Sequence, residues 1–172
     1  QSGIEEAVRA AQQSDVALLF VGSSSTAFVR HSNASSTSGE GIDLSGVELT
    51  GAQEELIEAV CATGKPVVLI LVAGKPFAIP FAKKNVPAIL VQWYAGEQAG
   101  NSIADILFGK VNPSGKISFS FPQSSGHLPA FYNHLTTDKG FYKEPGTYEL
   151  PGRDYVFSSP NPLWAFGHGL SY

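Results

Sequence analysis

The sequence has no methionine, one cysteine and few charged residues, and each shortage excludes a class of protein. Of its 172 residues 15% are charged and the net charge is −4 without a basic cluster, which disfavours nucleic-acid binding. Cys61 has no partner for an intrachain disulfide, and its place on the apolar side of a predicted helix favours a buried structural thiol. No apolar run reaches the roughly 20 residues of a membrane-spanning helix. The chain begins at Gln1, and we expect it to be a piece of a longer polypeptide.

Common ligand-binding motifs are also missing. Gly64-Lys65-Pro66 and Gly74-Lys75-Pro76 place proline where a phosphate-binding loop needs Ser or Thr. No G-x-G-x-x-G or G-x-S-x-G follows a predicted strand, and the four histidines lack metal-ligand spacing. We therefore expect no cofactor and no bound metal ion.

What is present is a repeated order of apolar strands and amphipathic helices. Apolar residues make up 43% of the chain, enough for the core of one soluble domain. Continuous apolar runs predict buried strands at 16–21, 66–72 and 88–93. Helical spacing predicts helices at 2–11, 50–60 and 97–108 and a helical turn at 79–85, with capping boxes at Ser2/Glu5 and Thr50/Gln53. This order predicts an α/β fold with a mainly parallel sheet flanked by helices, an α/β sandwich.

The pattern changes after residue 110. Alternating polar and apolar residues at 116–121 predict a strand with one exposed face. From 122 to 162 no periodicity is present, but the segment is rich in aromatic residues: Phe131, Tyr132, Phe141, Tyr142, Tyr148, Tyr155 and Phe157. We expect a long irregular C-terminal segment that its rings hold against the domain.

The long polar loop at 23–49 is the best candidate for a functional site. It follows a predicted strand, and open α/β sheets bind ligands at the carboxyl ends of strands. Its central carboxylate, Glu40, lies between Gly39 and Gly41, whose backbone freedom can direct a side chain outward. Arg30 and His31 in the same loop are weaker candidates for substrate binding.

Several motifs occur in the order found in glycoside hydrolase family 3. They are Gly39-Glu40-Gly41, the segment WYAGEQAGNSIADILFG at 93–109, NPSGK at 112–116, Arg153-Asp154-Tyr155 and FGHGLSY at 166–172. The chain resembles the C-terminal α/β sandwich domain of that family over nearly its whole length, and is similar above all to the bacterial β-glucosidases.

The resemblance implies a retaining, exo-acting β-glycosidase that hydrolyses terminal β-D-glucosyl residues of an oligosaccharide or glycoside. In such enzymes an N-terminal (β/α)8 barrel carries an aspartate nucleophile, and the sandwich domain supplies the acid/base glutamate from a loop. A fibronectin-III-like domain often follows. Residues 1–172 would then be a single sandwich domain that lacks its first strand, from an enzyme of the periplasm or the secreted fraction.

Within that resemblance Glu40 is the expected acid/base. Family members often have Asp-Arg and Leu-Pro where this chain has Asp43-Leu44 and Leu49-Thr50, so Glu48 is a competing candidate. Glu40 is preferred because it keeps the glycine frame and the thirteen-residue distance to Gln53 seen in relatives.

Three alternatives remain open at this stage. The domain could be a non-catalytic module that binds sugar or packs on the barrel, the enzyme could be a β-xylosidase of the same family, or the fold could be a flavodoxin-like ligand-binding domain. The last would need a phosphate-binding first loop, which is missing. The environment of Glu40, a concave aromatic surface or open solvent, discriminates between the first alternative and an acid/base role.

Overall fold

A computed structural model describes residues 2–25, 36–133, 147–149, 159 and 161–172. Its regular elements are α1 (Ser2–Gln12), β1 (Ala17–Gly22), α2 (Gln53–Cys61), β2 (Val67–Val72), α3 (Pro80–Asn85), β3 (Ala88–Gln92) and α4 (Ala99–Leu107), with 3-10 turns at Gly96–Gln98 and Ser125–His127. The predicted helices and the first three predicted strands are present, with bounds that differ by up to three residues.

The described strands form one parallel sheet in the order β1-β2-β3. Leu19 pairs with Leu69, and Leu69 with Ile89. Helices alternate with the strands along the chain, so the predicted α/β class with a mainly parallel sheet is confirmed. The central strand β2 is buried along most of its length, as its continuous apolar sequence predicts.

One face of the sheet forms the main core together with α1 and α2. Leu19 and Leu69 project from the strands into this core, and Ile57 and Val60 meet them from α2. Both α2 residues are only 1% exposed. The apolar stripe of α2 therefore fixes the helix against the sheet, and with it the point at which the preceding loop must end.

Strand β1 does not have the full burial that its sequence predicts. Leu18 and Phe20 are 47% and 55% exposed, whereas Ala17, Leu19 and Val21 are buried. The reason is that, among the described residues, β1 lies at the edge of the sheet and only one of its faces is covered. A continuous apolar run cannot by itself distinguish a central strand from an edge strand.

The strand predicted at 116–121 is wrong. The segment pairs with 163–168 at two separate places: Ile117 exchanges backbone hydrogen bonds with Gly167 and His168, and Phe121 forms an isolated antiparallel bridge with Trp164. A bend at Ser118 and Phe119 interrupts the ladder. The alternation still predicts burial, because Ile117 and Phe119 pack against the core and Phe121 is fully buried.

Aromatic contacts hold the C-terminal part of the chain, and one of the rings that the sequence predicts takes part in them. Phe121 lies 5.7 Å from Phe119 and 5.5 Å from Trp164, measured between ring centroids. Among the predicted rings, Tyr132 lies 5.0 Å from Phe166 between ring centroids, so this contact follows the expectation, while Phe131, Tyr132 and Tyr148 are 62%, 70% and 84% exposed. The other four predicted rings, Phe141, Tyr142, Tyr155 and Phe157, lie outside the described residues.

The end of β1 approaches β2 so closely that only glycine fits. Gly22 has a φ of 147°, and a Cβ built there would lie 1.7 Å from the carbonyl oxygen of Val72. That oxygen accepts a hydrogen bond from the backbone N–H of Ser23 at 2.9 Å. The close approach therefore fixes where the chain leaves the sheet and enters the long loop.

Gly22→Ala is expected to destabilise the domain by at least about 2 kcal/mol, because both the dihedral and the Val72 backbone oppose a side chain. The matched control is Gly3→Ala in α1, where a Cβ would meet nothing within 4 Å. That variant should stay within about 1 kcal/mol of the parent. Calorimetric unfolding of the polypeptide that carries this chain measures both, and equal transitions for the two variants would contradict the account.

Candidate functional site

The chain segments that follow the three strands meet at the carboxyl edge of the sheet. The Tyr94 hydroxyl, just after β3, lies 2.8 Å from Ser23 Oγ and donates to the Ser23 carbonyl oxygen at 3.0 Å. The backbone N–H of Gly74, just after β2, donates to Ser23 Oγ at 3.4 Å. Tyr94 thus ties the ends of β1 and β3 together across β2, at the edge where ligands of parallel sheets bind.

Gln53 closes the end of β1 with its amide group. Its Oε1 accepts from the Gly22 N–H at 2.6 Å, and its Nε2 donates to the Gly22 carbonyl oxygen at 3.1 Å and to the Thr50 carbonyl oxygen at 2.9 Å. The predicted capping box is therefore wrong, because the N-cap of α2 is Ala52 without a side-chain cap. The Gln53 side chain satisfies the last peptide of β1 instead of its own helix.

A shallow depression of about 400 Å³ lies at this edge. Its lining comes from the end of β1, the two ends of the loop and the last residue of β2: Phe20, Val21, Gly22, Ser23, Ser24, Thr37, Thr50, Gln53 and Val72. The hydroxyl groups along it suit a polar ligand. Glu40 is not part of this lining and its side chain is exposed, so within this chain its environment favours the non-catalytic alternative, and an acid/base role requires a further surface that covers it.

The first leg of the loop is anchored on Ser24. The Ser24 carbonyl oxygen accepts from the N–H groups of Thr37 and Ser38 at 3.0 and 3.1 Å. In return the Ser24 N–H donates to the Thr37 hydroxyl at 2.9 Å. These hydrogen bonds fix residues 37–38 beside the end of β1.

Glu40 stands at a turn that its two neighbouring glycines make possible. Gly39 and Gly41 have φ angles of 85° and 71°, in the left-handed region that other residues rarely adopt. The Glu40 N–H donates to the Ser38 hydroxyl at 3.3 Å, and the side chain is exposed. Ile42, two residues on, is also 59% exposed. The turn presents one carboxylate outward beside an apolar side chain.

The second leg is anchored through Glu48. The Glu48 Oε1 accepts from the Ser125 N–H at 3.0 Å and from the Ser125 hydroxyl at 2.9 Å, and Oε2 lies 2.8 Å from the same hydroxyl. The Val47 N–H donates to Ser125 Oγ at 3.0 Å, and the Ala78 N–H donates to the Val47 carbonyl oxygen at 2.9 Å. This leg is therefore held by two segments that are remote in sequence.

Burial and hydrogen bonding act in opposite directions on the pKa of Glu48. Partial burial alone would raise the pKa of Glu48, but the hydrogen bonds from the Ser125 hydroxyl and amide outweigh it and leave that pKa below its ordinary value. Lys75 Nζ donates to the Gly46 carbonyl oxygen at 3.1 Å and lies 5.0 Å from the Phe77 ring centroid. Burial lowers the pKa of Lys75, and the Glu48 charge partly offsets that.

The two candidate glutamates therefore differ in environment. Glu48 is held as an ionised acceptor, and Glu40 is presented outward on the glycine turn. Arg30 and His31, the weaker candidates, lie outside the described residues, as does the Arg153-Asp154-Tyr155 motif. Sequence reasoning did not find Ser125, because nothing in a Ser-Gly-His turn indicates a partner 77 residues away. Tyr94 lies in the family motif at 93–109, but the sequence indicates no role for its side chain.

Three further observations concern other kinds of site. Within the described ranges, no group of three or more His, Cys, Asp or Glu side chains could hold a metal ion. Among those same residues, no helix has the length and apolar character to cross a bilayer. Cys61 is half-buried, and burial raises the pKa of its thiol, which disfavours the reactive thiolate.

A family profile and curated relatives assign the chain to the same protein family. The profile described as "Glycosyl hydrolase family 3 C-terminal domain" matches residues 1–172. The chain is 42% identical over 173 residues to a periplasmic beta-glucosidase of Salmonella typhimurium. The aligned region covers 100% of this chain and 21% of that protein. The chain is 39% identical over 176 residues to a beta-xylosidase of Formosa agariphila, again covering 100% of the chain and 21% of that protein.

Solved structures agree with these relatives. A β-glucosidase from Erythrobacter marinus is 41% identical and superposes with a TM-score of 0.76, covering 98% of this chain and 20% of that one. A beta-glucosidase from Listeria innocua in complex with isofagomine is 34% identical with a TM-score of 0.77, covering 99% of this chain and 22% of that one. The chain thus spans about a fifth of the length of the proteins that it matches.

The depressed pKa of Glu48 predicts how the anchor of the second leg depends on pH. A carboxyl group whose pKa is lower in the folded state contributes stability above its unfolded pKa and loses it as pH falls through the folded value. The parent should therefore have a higher melting temperature than Glu48→Gln at about pH 7, and the gap should be smaller at a pH below the ordinary glutamate pKa of about 4.3. Thermal unfolding at both pH values measures the gap, and an equal gap at the two would refute the ionised anchor.

Proposed function

The chain belongs to the glycoside hydrolase family 3 C-terminal domain family, and on that basis we propose that its parent polypeptide is a retaining, exo-acting β-glucosidase. The parent would remove terminal β-D-glucosyl residues from an oligosaccharide or glycoside without a cofactor. Support comes from the Salmonella and Erythrobacter relatives, whose names state β-glucosidase and which share about two-fifths of the residues of this chain.

The role of this domain in the proposal is to supply the acid/base carboxyl group, Glu40. A leaving sugar oxygen must receive a proton as the glycosidic bond breaks, and a retaining enzyme later uses the same group as a base toward water. The observation that carries the assignment is the contrast between the two glutamates. Both oxygens of Glu48 accept hydrogen bonds from Ser125, while Glu40 is exposed on a turn whose two legs are anchored.

The pKa of Glu48 argues in the same direction. A proton donor needs a pKa raised toward the working pH, and the Ser125 hydrogen bonds leave that of Glu48 lowered instead. Glu48 is thus tuned to remain an ionised acceptor. A carboxyl group that is ionised at the working pH has no proton to give to a leaving group, which counts against Glu48 as the general acid.

The second carboxyl group of the proposed mechanism lies outside this chain. Retention requires two carboxyl groups about 5–5.5 Å apart, one acting as nucleophile and the other as acid/base. We propose that a (β/α)8 barrel of the same polypeptide carries the nucleophile aspartate, and that the Glu40 turn docks over it. The exposed Ile42 beside Glu40 suits such a contact, because an apolar side chain at the tip of a polar loop gains by burial.

The domain arrangement and the location follow from the same proposal. Residues 1–172 would be one sandwich domain without its first strand, and a fibronectin-III-like domain would follow it in the parent. The exposed side chains of Leu18 and Phe20 on the edge strand fit a missing neighbour. The name of the Salmonella relative, a periplasmic enzyme, supports a periplasmic or secreted location.

A β-xylosidase is the second candidate function. The Formosa relative carries that name at 39% identity over the whole chain, close to the identity of the β-glucosidases. The two activities differ in whether the site accepts the hydroxymethyl group of glucose. Comparison of kcat/KM for aryl β-glucoside and aryl β-xyloside by the parent enzyme decides between them.

The isolated 172-residue chain is expected to hydrolyse no glycoside, because it would supply only one of the two carboxyl groups. The assay is release of aryl alcohol from an aryl β-glucoside by the purified chain. The matched control is the same preparation with Glu40→Ala. Turnover by the chain that Glu40→Ala abolishes would refute the division of the site between two domains.

In the parent enzyme, Glu40→Ala is expected to lower kcat/KM for a β-linked glucose disaccharide by at least about 100-fold, since general acid catalysis contributes that much or more. A dinitrophenyl glucoside, whose leaving group needs no proton, should keep a kcat/KM within about threefold of the parent. Azide should restore turnover by attacking the glycosyl-enzyme, with β-glucosyl azide as the product.

The control for this experiment is Glu48→Ala, which should yield no glucosyl azide. If azide rescues Glu48→Ala rather than Glu40→Ala, the two roles are reversed. Normal hydrolysis of the disaccharide by Glu40→Ala would remove Glu40 from the mechanism altogether, and the non-catalytic module would then be the better account.

A further inference from the structure

We infer that Glu48 is a positioning residue, whose carboxylate, held by Ser125, sets the position of the Glu40 turn. The inference rests on the proposed role of Glu40 as acid/base. Glu48 would act through the backbone of its own loop and never touch the substrate. Ser125, which donates to the Glu48 carboxylate, would share this positioning role.

The hydrogen bonds at Ser125 form a directed chain from the loop backbone to the Glu48 carboxylate. The Val47 N–H donates to Ser125 Oγ at 3.0 Å, and the hydroxyl proton of Ser125 is directed to the carboxylate at 2.8–2.9 Å. The Ser125 N–H donates to Oε1 at 3.0 Å. A serine hydroxyl has one proton to donate, so it can serve Val47 as acceptor and Glu48 as donor at once. Loss of either member weakens the link between residues 47–48 and the turn at 125–127, because without the Ser125 hydroxyl only its N–H still donates to Glu48, and without Glu48 only the bond from Val47 remains.

The space beside the carboxylate is already filled. A Cβ built on Gly46 would lie 2.5 Å from Glu48 Oε2 and 3.4 Å from Ser125 Oγ. The Gly46 carbonyl oxygen accepts from Lys75 Nζ at 3.1 Å, and the Val47 carbonyl oxygen accepts from the Ala78 N–H at 2.9 Å. The backbone of the second leg is therefore bound at the two residues that precede Glu48.

Hydrogen bonds hold the loop on both sides of the turn that carries Glu40. Ser24 binds Thr37 and Ser38 on one side, and Ser125 binds Val47 and Glu48 on the other. Release of the second anchor would leave the turn held at its first leg, at Lys75 and at Ala78. A displacement of about 1 Å at a catalytic group can lower a rate by about 100-fold, so partial loosening should be visible in kinetics.

A purely structural role for Glu48 predicts a different kinetic pattern. If the Glu48–Ser125 pair only stabilised the domain, its removal would lower the active fraction and reduce all substrates equally. Mispositioned acid catalysis instead harms only the step that needs a proton. The comparison of kcat/KM between substrates with poor and good leaving groups separates these two readings, because kcat/KM reports the steps up to bond cleavage.

The test uses the full-length enzyme with Glu48→Gln, Ser125→Ala and Ser125→Thr. The matched control is Glu58→Gln, an exposed glutamate on α2. Glu48→Gln and Ser125→Ala should each lower kcat/KM for the disaccharide by about tenfold, while the dinitrophenyl glucoside stays within about twofold. Ser125→Thr keeps the hydroxyl and should recover most of the loss. The double variant Glu48→Gln/Ser125→Ala should have a kcat/KM no lower than that of the slower single variant, because both substitutions remove the same Glu48–Ser125 contact.

Amide hydrogen exchange supplies a readout that does not depend on catalysis. The Val47 amide should exchange faster in Ser125→Ala than in the parent and Glu58→Gln, because its acceptor is removed. Unchanged exchange at Val47 in Ser125→Ala would overturn the inference, whatever the kinetics.

The outcomes also separate this inference from the proposed function. If Glu40→Ala behaves as an acid/base variant while Glu48→Gln and Ser125→Ala keep the disaccharide kcat/KM of the parent, the positioning role is overturned and the proposed function stands. An equal loss on both substrates would overturn it as well, in favour of plain stabilisation. If Glu40→Ala hydrolyses the disaccharide normally, the acid/base assignment fails, and the positioning role with it.

Discussion

The contact between Gln53 and the peptide of Gly22 is the interaction on which the site depends. Gly22 passes so close to Val72 that it cannot carry a side chain, and its N–H and carbonyl oxygen both bind the Gln53 amide. Gln53 is also the first residue of α2, whose position Ile57 and Val60 fix in the core. One side chain thus joins the end of β1, the start of α2 and both ends of the loop between them. The position of Glu40 is built outward from this point.

Glu40 and Glu48 lie on one loop, and we propose different roles for them because their surroundings differ. Ser125 donates to both oxygens of Glu48 and keeps its pKa below the ordinary value, so this group is suited to hold backbone in place. Glu40 lies between the hydrogen-bonded anchors, on a turn that two glycines with positive φ allow, and its side chain is exposed. Environment, rather than residue type, assigns the roles of paired carboxyl groups in many enzymes. The proposed division into one acid and one anchor follows that rule.

The fold was largely predictable from sequence, while the contacts of the site were not. Strand and helix patterns depend on neighbouring residues, so the three parallel strands and their helices are read correctly from periodicity. The sequence at 116–121 alternates like a strand but forms one isolated bridge and one separate pair of backbone hydrogen bonds, because a bend separates its two points of pairing. Gln53 fits a capping box in sequence, yet a partner 31 residues away competes for its amide. The Ser125 anchor is 77 residues from Glu48, a distance at which spacing carries no information.

The central claim is that Glu40 donates the proton while Glu48 stays bound to Ser125. The most direct measurement is a crystal structure of the intact parent enzyme with an unhydrolysed disaccharide analogue across the site. The account predicts a Glu40 oxygen within about 2.6–3.2 Å of the glycosidic oxygen. It also predicts a second carboxyl group about 5–5.5 Å from Glu40 on the opposite side of the bond, with Glu48 still on Ser125. A different carboxyl group at the glycosidic oxygen, with Glu40 in solvent, would contradict the account.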